Sequence, residues 1–175
     1  MFHLRTTTSA ALLALSLGLS AHADTPAQWQ ALTAPLKVNL EQAIANTTQA
    51  VPGTVIEIDL DDGDGAGVRY EAQVLTAQGE SVEVWVDGVT GQARMHENDG
   101  KAKRRDAERA KTAKISIVQA IQAATAHTPG KPVKAELDNH WGNVSYEVDV
   151  LKADHTVMAI KVDAISGKIL RAKPD

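Results

Sequence analysis

The sequence predicts an α+β chain of two tandem modules, each one helix packed on a three- to four-stranded antiparallel sheet. Three observations predict it. A long block of the chain occurs twice, each copy opens with a helix-start signal, and each continues as short segments of period-two alternation. Lys37–Ile44 returns as Lys114–Ile121, Pro52-Gly53 as Pro129-Gly130, Val68–Leu75 as Val144–Leu151, and Val86–Gly91 as Val162–Gly167. The offset is 77 residues through the Pro-Gly and 76 after it, so one residue was gained or lost in the loop between.

Residues 1–23 read as a signal peptide, outside the fold. Arg5 supplies the positive start, Ala10–Leu19 is a short apolar run, and Ala21-His22-Ala23 is a small-x-small cleavage site with Asp24 as the new N-terminus. The run is too short for a stable bilayer span, and no cysteine is present to carry a lipid. The reading is therefore a periplasmic or secreted protein without stable membrane insertion. Residues 24–36 form an N-terminal extension, where Trp29 and Leu32 lie one helical turn apart and Pro35 ends the turn.

The first module covers residues 37–97 and the second 114–175. Asn39 with Gln42, and Ser116 with Gln119, are capping boxes. Leu40, Ala43 and Ile44, then Ile117, Ala120, Ile121 and Ala124, give each helix its apolar stripe, and the Pro-Gly pairs end it. Strands follow. Ile56, Ile58 and Leu60 share a face, as do Val68, Tyr70, Ala72 and Val74, and Val82, Val84 and Val86. The second copy repeats this with Val133, Ala135 and Leu137, then Val144, Tyr146, Val148 and Val150, then Met158, Ile160 and Val162. A short last strand follows each turn glycine, over 92–96 and 168–172. Short loops between successive strands imply hairpins. Residues 98–113 form a basic joint of helix-compatible composition, in which Asp106 has Ala110 rather than a base four residues on.

Bulk composition narrows the function classes. The absence of cysteine removes thiolate metal sites, redox motifs, cysteine nucleophiles and disulfides. Without Arg5 there are 17 Lys+Arg against 22 Asp+Glu, yet Lys101–Lys114 holds seven basic and two acidic residues. That separation describes the surface field rather than the fold.

The sum of these motifs resembles the PepSY domain: a capped helix with Gln-Ala-Ile, a Pro-Gly, a Tyr-Glu-x-x-Val strand and a Val-Asp-x-x-(Thr/Ser)-Gly turn. The resemblance covers roughly 37–97 and 114–173, and the second copy is the closer one. The first departs in the glycine-rich Asp61–Gly67 and in Gly88, where the second has Ala164. The resemblance implies a protein-binding module rather than an enzyme. PepSY domains occur in propeptides of thermolysin-type secreted metalloproteases, as inhibitor and folding chaperone, and as small exported proteins with no protease attached.

Candidate sites are few. The acidic Asp59–Gly65 admits an EF-hand register from Leu60 to Glu71, but its first position is Leu60 where a carboxylate is needed, and a hairpin loop explains the same residues. His96, His127, His140 and His155 lack ligand spacing, with His140 and His155 flanking one hairpin as the sole residual copper or zinc idea. No metal site, cofactor or catalytic residue is assigned. Tyr70-Glu71 and Tyr146-Glu147 recur, which favours inward structural tyrosines with outward glutamates. Trp85, on the outer face where the second copy has Lys161, is either covered within the chain or anchors a partner. Trp141 sits at a hairpin tip. Export and the lack of aromatics among the basic residues argue against nucleic acid.

The expectation is an exported, non-enzymatic module that binds another exported protein, with a protease it inhibits or modulates as the foremost class. Glu71, Glu83, Trp85, Trp141, Glu147 and Lys161 are the expected partner-binding residues. The alternative is a periplasmic sensory accessory that responds to metal or envelope stress and modulates a membrane kinase or transporter.

Overall fold

The computed structural model describes residues 25–140 and 142–175. The segment expected to be a signal peptide and Trp141 lie outside the described residues. A first helix, α1 (Pro26–Thr33), is followed by α2 (Leu40–Ala50) and strands β1 (Gly53–Asp61), β2 (Arg69–Thr76), β3 (Glu80–Asp87) and β4 (Ala93–Lys101). Then come α3 (Arg104–Thr112), α4 (Ile117–His127), and strands β5 (Lys131–His140), β6 (Asn143–Leu151), β7 (Val157–Asp163) and β8 (Ile169–Pro174). Both capping boxes form: Asn39 Oδ1 accepts the Gln42 N–H at 2.8 Å and Gln42 Oε1 accepts the Asn39 N–H at 3.0 Å, with Ser116 and Gln119 doing the same at 3.2 and 2.8 Å.

The two modules share one antiparallel sheet of eight strands, in the order β4-β3-β2-β1-β5-β6-β7-β8. The seam is β1 against β5, through Glu57↔Glu136, Ile58↔Ala135 and Asp59↔Lys134. Ala135 is the repeat equivalent of Ile58, 77 residues on. The two copies are therefore related by a pseudo-twofold axis through that pair and normal to the sheet. Directly opposed residues share a face, so Ile58 and Ala135 place both cores on the same side. α2 and α4 cover that side, and the other face carries the polar side chains.

The inward positions read from the sequence are the core. Ile58, Tyr70, Val74, Val84, Val86, Ala135, Tyr146, Val148, Ile160 and Val162 are all at most 2% exposed, with the helix stripes packed on them. Leu75 and Leu151 stand out of that alternation and are buried as well. Each tyrosine hydroxyl donates to the chain just before its helix, Tyr70 to the Val38 carbonyl at 2.8 Å and Tyr146 to that of Ile115 at 3.0 Å. The carbonyls of Gly88 and Ala164 accept N–H groups from Lys37 and Val38, and from Lys114 and Ile115. Gly88 departs from Ala164 for a steric reason: a Cβ there would lie 2.7 Å from Leu36 Cδ2, a residue of the N-terminal extension. The Pro-Gly glycines do more than end a helix. A Cβ on Gly53 or Gly130 would sit 2.5 Å from the carbonyl oxygen of Leu75 or Leu151 on the neighbouring strand.

Two elements differ from the sequence reading. β4 runs past His96 to Lys101, and β8 runs to Pro174, because each has a whole partner strand to pair along. Residues of the basic joint form α3, whose pairing support is better than the i,i+4 count suggested. Arg104 pairs with Glu108, and Arg109 reaches back to Asp106 three residues earlier. Arg109 also donates to the Leu137 carbonyl at 2.7 Å and meets Asp138 at 3.2 Å, which ties α3 to β5.

Two outcomes are expected for stability. Thr47 is fully buried in α2 with no partner for its hydroxyl, where the second copy has Ala124. An unpaired buried hydroxyl costs about 1–3 kcal/mol. Thr47→Val keeps the shape and should raise stability by about 1 kcal/mol in urea unfolding. Burial pushes Tyr70 and Tyr146 up to about 12 from 10.0. The folded state therefore holds each phenol proton more tightly than the unfolded state does. Their contribution is intact below pH 10.0 and is lost as pH rises towards about 12. Tyr70→Phe with Tyr146→Phe should flatten the fall in Tm over that window, while costing about 1 kcal/mol per lost hydrogen bond at pH 7.

Candidate functional site

The open face is richest around Trp85 on β3. Alternation sends Trp85 outward, opposite Glu71 of β2 and Arg94 of β4. The indole is half-buried by its own strand neighbours. His96 stacks on it with ring centroids 3.5 Å apart and planes within 12°. The Arg69 guanidinium lies 3.8 Å from the ring centroid and that of Arg94 5.2 Å. The indole Nε1–H donates to Glu83 at 2.6 Å. Cations over an indole face contribute about 0.5–2 kcal/mol each, more where water is excluded.

Arg69 is the hub. Its side chain, only 15% exposed, meets Asp61 at 3.1 Å and Glu71 at 2.5 Å, so it neutralises two carboxylates while it covers Trp85. Burial raises the Glu71 carboxyl above 4.5, and the Arg69 hydrogen bond partly offsets this. The same contacts decide the acidic loop. Asp61 spends one oxygen on the Gly63 N–H at 2.7 Å and faces Arg69, while Gly63 and Gly65 adopt φ of 66° and 81°. A tight loop of left-handed glycines explains these residues.

The expected contact residues fall into two groups. Glu71, Glu83 and Trp85 converge. Glu147 and Lys161 form the equivalent cross-strand pair in the second half, 3.8 Å apart. β2 and β6, the facing strands of the two groups, are three strand spacings apart, so the groups are separated by roughly 14 Å at their nearest. Trp141 and the side chain of His140 lie outside what is described.

One grouping was not legible in the sequence. β4 bulges: Val84 pairs with Met95 and Glu83 with Glu97, leaving His96 as the extra residue. A bulge re-aims a side chain. The result is that ligand atoms of Glu83, His96 and Glu97 lie within 4.8 Å of one another. Period-two counting assigns His96 and Glu97 to opposite faces and cannot find this.

A second feature lies at the seam. A cavity of about 420 Å³ opens between α3 and the sheet, with Glu57, Gln73 and Glu136 on one side and Lys103, Arg105 and Arg109 on the other. Burial raises the Glu57 carboxyl above 4.5, and the facing Glu136 and nearby Asp59 add to it. Acidic and basic groups thus oppose each other across one space. No nucleophile–base pair or oxyanion-directed set is assembled among the residues described around Trp85 or this cavity.

Comparison with known proteins gives three results. The family described as "Peptidase propeptide and YPEB domain" (PepSY) matches residues 37–94 and 114–173. An uncharacterized protein of Bacillus subtilis (strain 168), YkoJ, is 31% identical over 134 residues, spanning 77% of this chain and 72% of that one. Among solved structures, a candidate lipoprotein (CD1622) from Clostridium difficile 630 is similar at a TM-score of 0.45 and 18% identity, over 80% of this chain and 95% of that one. The YpmB protein from Bacillus subtilis is similar at a TM-score of 0.36 and 19% identity, over 78% and 97% respectively.

The raised Glu57 carboxyl carries an expected outcome. The folded state holds its proton more tightly than the unfolded state, so Glu57 favours folding below pH 4.5 and disfavours it once ionised. Glu57→Gln should raise Tm at pH 7, and the gain should vanish as pH falls below 4.5. Thermal unfolding of both chains between pH 4 and 8 measures it.

Proposed function

We propose that this chain, which belongs to the PepSY family, is an exported non-enzymatic module that binds a secreted or periplasmic protease and restrains it. Its family membership and a fold of paired PepSY modules are the premise. The observation that carries the reading is the division of the sheet. Both helices occupy one face, and the other presents a Trp85-centred cluster of charged and aromatic side chains. A half-exposed tryptophan flanked by arginines has the composition of an interface anchor.

Two geometric features fit a protease. The outer edge of β4 has no neighbouring strand among the described residues and lies beside this cluster, so it can offer main-chain groups to a partner in extended conformation. Several residues that recur in both copies are engaged in structure, which supports the non-enzymatic reading. Tyr70 and Tyr146 tether the helices. Asp87 and Asp163 accept backbone N–H groups in their own turns, and those bonds lower both carboxyls, with the Ser166 hydroxyl foremost for Asp163. The alternative, an exported sensory accessory that responds to metal, gains one observation, the Glu83–His96–Glu97 group.

The test is inhibition. The untagged chain from Asp24 is titrated against the metalloproteases exported by the same cell, in casein zymograms and progress curves. The expected result is dose-dependent slowing, weakened tenfold or more by Trp85→Ala and much less by Lys161→Ala. Full protease activity at a large excess of the chain would sink the proposal.

A further inference from the structure

We propose that Glu83, His96 and Glu97 form a surface site for a divalent transition-metal ion of the zinc or copper(II) type, confined to the first repeat. One imidazole and two carboxylates suit these ions, whereas calcium and magnesium prefer all-oxygen shells. Ligand atoms in a tetrahedral site with bonds of about 2.0–2.1 Å stand about 3.3 Å apart. The present spread, within 4.8 Å, closes by side-chain rotation, since His96 and Glu97 are exposed.

Four observations point the same way. The backbone is arranged for it, because the bulge at His96 brings two successive residues of β4 beside one residue of β3. The electrostatics ask for a cation. Glu83 and Glu97 are directly opposed across the two strands, an arrangement of like charges that costs stability. None of the ion pairs among the described residues uses either of them.

The third observation is the orientation of the imidazole. His96 is stacked flat on Trp85, which sets its plane, and a ring nitrogen lies within 4.8 Å of a carboxylate oxygen of Glu83 and of Glu97. Glu83 is held too, by the Trp85 indole N–H on one oxygen, which leaves the other for a metal. The Arg69 and Arg94 guanidinium groups sit over the indole.

The fourth is the internal control that the duplication provides. At an offset of 76, Glu83, His96 and Glu97 correspond to Ala159, Ala172 and Lys173, on the same strands of the same fold. The module folds without any ligand at these positions, and with a cation at one of them. The fold therefore does not require the three ligands of the first copy.

The site does not rest on the protease reading. The test uses the untagged chain from Asp24, stripped with EDTA and dialysed. Calorimetric titrations with zinc chloride and with copper(II) chloride are expected to show one ion per chain. Copper should also quench Trp85 emission by more than half in a Trp29→Phe, Trp141→Phe background, because the ion sits on the ring stacked against it. His96→Ala and Glu97→Gln should each weaken binding tenfold or more, and His155→Ala should leave it unchanged. Circular dichroism of the metal-free variants confirms that they are folded. Absence of binding below millimolar concentration, or unchanged affinity in folded His96→Ala and Glu97→Gln, overturns the site. A His96→Ala chain that loses metal but still slows a protease leaves the inhibitor reading intact, and the reverse result separates them the other way.

Discussion

The antiparallel pairing of β1 with its own repeat equivalent β5 is the constraint from which the rest of the architecture follows. It consists of three residue pairs, Glu57↔Glu136, Ile58↔Ala135 and Asp59↔Lys134. Because the paired strands are equivalents, the two copies are related by a twofold operation normal to the sheet. α2 and α4 must then lie on one face, and α3 lies over the opposite, polar face near the seam. The same pairing consumes one edge from each module and leaves β4 and β8 as the outer edges. It also dictates the joint. The chain leaves β4 at one edge and must restart at α4 over the other half. α3, with nine residues and a length of about 14 Å, covers much of that distance on its way past the seam.

Duplication separates what a module needs from what this chain adds. The capping boxes, the two buried tyrosines, the turn aspartates and the close-approach glycines at 53 and 130 recur because each solves the same local problem twice. They satisfy backbone groups at a helix start or a turn, or they let two strands meet. The positions where the copies differ have separate explanations. Gly88 makes room for Leu36, where the second copy has the smaller Ala113 at the equivalent position. Thr47 against Ala124 is an unsatisfied hydroxyl without a structural benefit in view. Trp85 against Lys161, and Glu83 and Glu97 against Ala159 and Lys173, lie on the face opposite α2 and α4, while Ala172 pairs directly with Ile160 where His96 is the extra residue of a bulge.

Much of the fold was legible in the sequence because it rests on local signals. A capping box is four residues of hydrogen-bond chemistry, and a half-buried strand announces itself by alternation. Tyr70 and Tyr146 inward, with Glu71 and Glu147 outward, follow from period two alone, and so does the outward Trp85. Its cover could not be read: Arg69 and Arg94 come from neighbouring strands and His96 from a bulge. A bulge adds one residue to one strand, so it leaves no period to count and re-aims every side chain near it. Part of the support of α3 was missed for a related reason, since Arg109 finds Asp106 three residues back and Asp138 on β5, whereas Arg104 with Glu108 is an ordinary i,i+4 pair.

The sequence by itself determined the content of each module: one capped helix, three to four strands, an inward and an outward set of side chains, and the family to which they belong. Those properties come from short-range backbone geometry and from the burial of apolar periods, and both are written along the chain. Only the tertiary structure decided that the modules share one sheet, that α2 and α4 cover the same face of it, and that Glu83, His96 and Glu97 meet beside Trp85. Strand pairing between copies depends on which edges are left free and on register across 77 residues. No local pattern encodes that choice. It is settled by which arrangement pairs the most backbone groups while burying both apolar faces at once.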